Sequence, residues 1–304
     1  YKKMNLDVNT FFEMTGMIGG ICNNPEDYAS FYHNYKGRRY RHDQVHNLFG
    51  YYMTRSASEA FERYVPEKRI LLFSRASYIG MHRFGGIWQG DNASWWSHLK
   101  MNVKMMPSLN MCGFLYTGAD VGGFGADATE DLVLRWLEFA VFTPLLRNHS
   151  ARGTRRQEVY RFSHVEKFAD VIGVRYQILP YIYSEYMKAA LRNTMMFNPL
   201  SFLYGEDAMA GQVEDQLFIG ENVMVAPVCE QNVTGRVVYF PERMKQLIFK
   251  NGIVEEGEVY EKGFSYVEMP MGTVHVFLRE GYLFPVAKGG KCVEDVDFED
   301  LTLY

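Results

Sequence analysis

Cysteine is scarce: four in 304 residues, at positions 22, 112, 229 and 292, with no Cys-x-x-Cys pair. That spacing suggests neither a zinc site nor a disulfide framework. No apolar run reaches the length needed to span a membrane. One dense basic run, Lys36 to Arg41, stands in a chain of net charge −4, and it reads as a solvated loop rather than a nucleic-acid surface. Neither nucleic acid nor membrane is therefore expected as a partner. No cluster of His, Asp and Glu has metal-ligand spacing. An initiator Met and a signal-peptide pattern are also missing, since the chain opens Tyr1-Lys2-Lys3. The expectation is a piece of something longer. The compartment stays open, with the cytoplasm as the default, and so does the oligomeric state.

Hydrophobic residues make up 47% of the chain and aromatics 15%, enough for a large core and for exposed rings of the kind that line sugar-binding clefts. Residues 1–42 are polar and irregular, with a turn expected at Asn23-Asn24-Pro25. Apolar and aromatic residues at 45, 48, 49, 52, 53, 57 and 61 predict a helix from Val45 to Tyr64, ended by Pro66. Ile70 to Phe73 reads as a fully buried parallel strand. Gly86-Ile87-Trp88, Gly113 to Thr117 and Thr143 to Leu146 read as further strands. Between them fall a helix capped by Ser94 and running to about Pro107, and another from Glu130 to Phe142 with Thr129 as N-cap. Val165 to Leu191 is a helical pattern broken at Pro180. This alternation argues for βα units and a parallel sheet.

The texture changes near 199. Short β-branched or aromatic runs (222–228, 236–240, 246–250, 264–269, 273–278) alternate with turn signals at Asn251-Gly252, Glu256-Gly257, Lys262-Gly263 and Met271-Gly272, which predicts an antiparallel β-sandwich over 199–286. Residues 287–304 read as the start of a further element.

Polar residues gather where the parallel strands end. Arg75 closes the first, Trp88-Gln89-Gly90-Asp91-Asn92 the second, Gly118-Ala119-Asp120-Val121-Gly122-Gly123-Phe124 the third and Arg147-Asn148-His149 the fourth. A (β/α) barrel builds its active site from such ends. Asp91 beside the Trp88 indole suggests a carboxyl kept protonated to serve a leaving oxygen, or else a helix cap. Arg75 reads either as a sugar-holding fork or as an ion-pair partner of Asp91 or Asp120. Phe124 walls a pocket or packs in the core. His149 bonds a hydroxyl or is structural, with Arg147 ordering its loop. His46, His82 and His98 read as structural.

These motifs, together with His46-Asn47-Leu48-Phe49-Gly50, Phe73 to Ser77 and Arg135-Trp136, resemble glycoside hydrolase family 31, the α-glucosidase family, over about residues 43 to 285. The resemblance implies strands five to eight of a (β/α)8 barrel, followed by the sandwich. It implies retaining hydrolysis of α-glucosides through two carboxylates and a covalent intermediate, with oligosaccharides as substrate and no metal or organic cofactor. On that resemblance Asp91 is the general acid/base, and Arg75, Trp88, Asp120, Phe124 and His149 line the subsite for the non-reducing sugar. The family's nucleophile motif, of Trp-x-Asp-Met-Asn-Glu-Pro type, does not occur in the chain, so the nucleophile is expected outside it and the chain alone is expected to be inactive. A non-catalytic carbohydrate-binding protein, an α-xylosidase or a transglycosylase on the same scaffold are the alternatives.

Overall fold

The computed structural model describes residues 25–304. The expected turn at Asn23-Asn24-Pro25 and most of the irregular 1–42 stretch lie outside the described residues. The chain forms two compact units. One takes in the described residues up to Ile70 and Ala76–Met81; the other takes in Leu71–Arg75 and His82–Tyr304.

The first unit runs α1 (Pro25–Ser30), β1 (Tyr32–Tyr35), β2 (Arg38–Arg41), α2 (His42–Val45) and α3 (Leu48–Tyr64). The basic run expected as a loop is instead the turn and second strand of a hairpin. Lys36 (φ +47°) and Gly37 (φ +73°) supply the two left-handed residues that a tight hairpin turn needs. Three imidazoles link α2 to this hairpin. His33 Nε2 and His42 Nδ1 lie 2.8 Å apart, and His42 Nε2 and His46 Nδ1 3.0 Å apart. Burial and the two neighbouring rings push His42 below its ordinary value. Helix α3 ends ahead of Pro66 as its pattern predicts. Its stripe stays largely open, however: Phe49, Tyr52, Met53 and Phe61 are exposed, and only Gly50 and Thr54 are buried.

In the second unit, β3 (Phe73–Ser74), β4 (Gly86–Trp88) and β5 (Thr117–Gly118) form a parallel ladder in that order. A second parallel pair joins β6 (Asp120–Val121) to β7 (Arg147–Asn148). The Leu145 N–H donates to the Thr117 carbonyl at 3.2 Å, which brings the approach to β7 alongside β5. The ladders are shorter than the apolar runs suggest. Only Phe73 and Ser74 pair from the first run, and Ile70, Leu71 and Phe73 are exposed, since among the described residues β3 has a single strand partner. The stretch expected as a strand at Thr143–Leu146 pairs later, at Arg147–Asn148. Thr143 instead closes the preceding helix, its hydroxyl 2.8 Å from the Ala140 carbonyl.

Helices α4 (Trp96–Met111) and α5 (Glu130–Ala140) follow β4 and β6. Ser94 does not cap α4. Its hydroxyl donates to the Ala126 carbonyl, while the Ala93 N–H reaches His98 Nδ1 at 2.8 Å. Thr129 does hold the N-cap position of α5, but its hydroxyl donates to the Asp131 carboxylate rather than capping the backbone. Helices α6 (Val165–Gln177) and α7 (Leu179–Arg192) divide where Pro180 predicts, with the proline in the first turn of α7, where its missing N–H costs nothing.

Close strand contact depends on glycine. A Cβ at Gly118 would fall on the Leu145 carbonyl oxygen, and one at Gly86 on the Tyr116 carbonyl oxygen. Both obstacles are backbone and cannot swing aside. Gly118→Ala is therefore expected to destabilise at the top of the overpacking range, about 3 kcal/mol. Chemical denaturation measures this, and a loss below about 0.5 kcal/mol would show that the strands can move apart.

The remaining chain is mainly antiparallel. Strands β8 (Phe197–Pro199), β9 (Leu217–Ile219), β10 (Val223–Val225), β12 (Met244–Lys250), β13 (Ile253–Tyr260) and β15 (Val274–Arg279) make one sheet in the order β13-β12-β15-β10-β9-β8. Strands β11 (Gly235–Phe240) and β14 (Gly263–Glu268) pair separately. Strand β13 runs straight through Glu256-Gly257, expected as a turn; it is an edge of the sheet whose exposed positions carry Glu255, Glu256 and Glu258. Strands β16 (Pro285–Ala287) and β17 (Leu301–Leu303) pair across the last segment. One core joins the helices to the sheet through Leu99, Trp136, Phe168, Tyr181, Phe249 and Val276. A second, including Phe218, Val238, Phe240 and Phe277, lies between the sheet and the β11–β14 ribbon.

Two buried titratable groups flank this helix–sheet junction with opposite tendencies. Burial pushes the Glu138 carboxyl up to about 7, against the pull of Arg135 at 2.9 Å and of the Gly272 N–H at 2.7 Å. Burial, aided by Arg135, pushes His275 down to about 4, and its ring is held by Gln246 and Thr273. A raised Glu138 stabilises below about 4.5, and that contribution fades as pH rises towards 7. A lowered His275 stabilises above about 6.5, and that contribution fades as pH falls towards 4. Each effect is on the order of 3 kcal/mol, and between pH 4.5 and 6.5 they oppose each other. Melting temperature followed against pH should therefore rise with pH in Glu138→Gln and fall with pH in His275→Gln over that window. Parallel profiles in the two variants would contradict this.

Candidate active site

The site is assembled at the ends of β3 to β7. Beyond Trp88 the chain turns at Gly90, whose φ of +82° is a left-handed value, and presents Asp91. The next residue fixes this turn from below. Asn92 is buried, and its amide donates to Asn102 Oδ1 on α4 (2.9 Å) and to the Asp120 carbonyl (3.1 Å). Its Oδ1 accepts the Phe124 N–H at 2.9 Å. One side chain thus couples the loop after β4 to the loop after β6.

Asp91 Oδ1 accepts a hydrogen bond from Arg75 Nη2 at 2.6 Å, and the two side chains are 46% and 61% exposed. The ion-pair reading of Arg75 therefore holds, with Asp91 as the partner. The apolar setting expected beside the indole does not: Asp91 stands half in solvent with a guanidinium on it, and it is Arg75 that lies 5.2 Å from the Trp88 ring centroid. Asp91 does not cap α4 either, since that helix begins at Trp96.

Asp120 is fully buried. Its Oδ1 accepts from Arg147 Nε at 2.6 Å, and the Arg147 guanidinium also lies 5.4 Å from the Trp88 ring and 5.6 Å from Phe73. Trp88 and Phe73 meet edge to face at 6.3 Å. Arg75, Trp88, Asp91, Asp120 and Arg147 therefore form one connected group. Phe124 and His149 pair with each other, ring centroids 5.1 Å apart and tilted by 30°. They are tied to that group through the backbone: Phe124 by Asn92, and His149 by Gln157, whose Nε2 donates to its carbonyl at 3.3 Å and also contacts Val121, Gly123 and Asn148.

Two buried polar atoms in the connected group have no hydrogen-bond partner among the described residues, Asp120 Oδ2 and Trp88 Nε1. One accepts and the other donates. Orphaned buried groups are costly. The described residues contain no grouping of three or more His, Cys, Asp or Glu able to hold a metal ion.

Asn92 and Gln157 are the positioning residues whose roles sequence reasoning missed. Asn92 lay inside a motif already singled out. Gln157 sits in an irregular loop with no periodicity or motif around it.

Parallel βα units carrying a polar site on their strand ends, followed by an antiparallel sheet domain, define a part of a (β/α) barrel with an attached β domain. The chain belongs to glycosyl hydrolase family 31: the family's TIM-barrel domain matches residues 8–185 and its C-terminal domain residues 193–284. Alpha-glucosidase 2 of Bacillus thermoamyloliquefaciens is 33% identical over 256 residues, covering 82% of this chain and 31% of the relative. Neutral alpha-glucosidase AB of Homo sapiens is 28% identical over 276 residues, covering 87% and 28%. Among solved structures, a family 31 dextranase of Flavobacterium johnsoniae complexed with isomaltotriose superposes with a TM-score of 0.80 at 26% identity, covering 90% of this chain and 34% of the dextranase. The chain thus spans about a third of the length of these relatives.

Proposed function

We propose that this chain supplies the general acid/base and the sugar-gripping rim of a retaining glycoside hydrolase that releases glucose from the non-reducing end of α-glucosides. The observation that carries the reading is the half-exposed Asp91–Arg75 pair at the strand ends, beside the Trp88 ring. Asp91 is open to a ligand and is set at a strand end, where a barrel holds its acid. Asp120 has no exposed surface and is held by Arg147, so in this reading it orders the strand ends beneath the rim rather than attacking. His149 stacked near Phe124 provides a second hydroxyl partner and a ring wall. The names of the relatives, alpha-glucosidases and a dextranase, support α-linked glucose as the substrate.

Retention requires a second carboxylate about 5 Å from the acid to form the glycosyl intermediate. In this reading it comes from outside the chain, and the purified chain alone hydrolyses p-nitrophenyl α-glucoside no faster than background. Turnover by the chain would overturn that part of the proposal. The search for the nucleophile would then move to Asp7 and Glu13, the two acidic residues ahead of the described region.

A further inference from the structure

A second concave site lies on the C-terminal half, between α4 and the β11–β14 ribbon. It is a cavity of about 600 Å³, within the size range of small-molecule sites. Its floor is built around Asp215, which pairs with Arg236 at 2.7 Å and with Lys100 at 3.0 Å. Burial alone would raise the Asp215 carboxyl, but the two cations hold it below its ordinary value. Arg236 is further fixed by the Pro227 carbonyl at 2.8 Å. This floor is rigid, and its hydrogen bonds do not depend on a ligand.

The rim differs in character. Tyr266 is 57% exposed and Val237, its cross-strand partner on β11, 54%. The lining also carries the exposed polar residues Glu230, Asn232 and Thr234. The charged groups of the wall are Lys100, Arg236, Asp215 and Glu230, two of each sign. They cancel, which disfavours an anion or a cation as occupant. An exposed aromatic ring beside a carboxylate, an amide and a hydroxyl matches a neutral polyhydroxyl ring, which stacks through its C–H face and bonds through its edge.

From this geometry we infer that the cavity is a second carbohydrate site, holding one or two sugar units of an oligosaccharide away from the Asp91 rim. Tyr266 is the stacking platform, and Glu230 and Asn232 are hydroxyl partners. The site has no part in bond cleavage. It holds a longer chain on the protein while the rim works on an end. The choice of an α-glucan as probe rests on the proposed function, but the site itself does not.

The test is titration of the chain with maltoheptaose and with isomaltoheptaose by calorimetry, in a His149→Ala background that weakens the rim site. Binding is expected to persist in that background. It is expected to weaken about tenfold on adding Tyr266→Ala, the scale of one lost aromatic contact, and to weaken again with Glu230→Gln. Both substitutions are on exposed side chains, and matched melting temperatures certify that the variants are folded. Binding that persists in His149→Ala but ignores both Tyr266→Ala and Glu230→Gln overturns the proposal, as does loss of all binding in His149→Ala alone. Failure of the rim reading shows separately, as identical binding by the wild-type chain and His149→Ala.

Discussion

Arg147→Met is expected to lower the free energy of unfolding by about 3–5 kcal/mol, the range for stripping a buried ion of its partner. Asp120 has no exposed surface, and Arg147 Nε at 2.6 Å is the hydrogen bond that compensates its side chain. With methionine in place, the carboxylate must be buried uncompensated, take up a proton, or drag water into the strand ends. The Trp88 and Phe73 rings lose the guanidinium they share as well. Most of the effect belongs to the abandoned charge, and a double variant shows it: Asp120→Asn added to Arg147→Met should recover more than half of the loss, since removing both partners is far milder than removing one. Guanidinium denaturation of the three variants measures both numbers. A loss under about 1 kcal/mol for Arg147→Met would make the pair an ordinary surface bridge and contradict the reading that Arg147 compensates a buried charge.

How far the sequence could be read depended on whether an element's signal was local. Strand β4 and the helix division at Pro180 were legible because three consecutive apolar residues and one proline decide them without help from distant groups. The antiparallel region was legible for the same reason: turn residues such as Asn251 and Gly252, both at positive φ, punctuate the strands. Strand β13 was not, because Glu256-Gly257 at its middle reads as a turn and the glutamates of this edge strand break up its apolar residues. Buried character was overestimated for the Ile70–Phe73 run, since apolarity states what a residue would bury, not whether a neighbour is there to cover it. At the site, motifs located Arg75, Asp91, Asp120 and Arg147, but not the pairing among them. Asn92 and Gln157 brace the loops that carry these residues, through contacts that cross 28 and 36 residues of sequence.

Asp91→Asn is expected to have the largest effect on activity. An amide has no proton to give to a departing oxygen, and it loses the charge that pairs with Arg75 at 2.6 Å. Asn is nearly isosteric, and the Asp91 side chain is half exposed, so the fold should survive intact. The consequence should depend on the leaving group. A disaccharide needs its oxygen protonated as the bond breaks, whereas a p-nitrophenolate leaves largely unaided. In catalytically competent protein carrying this chain, kcat/KM for maltose or isomaltose should fall about 10²- to 10⁴-fold, while the first step on p-nitrophenyl α-glucoside, followed as the burst of released phenolate, should change by less than about tenfold. That comparison bears most directly on the assignment of Asp91 as the proton donor. A steep loss for the disaccharide alone is the result expected here; equal losses on both substrates, or none on either, would contradict it.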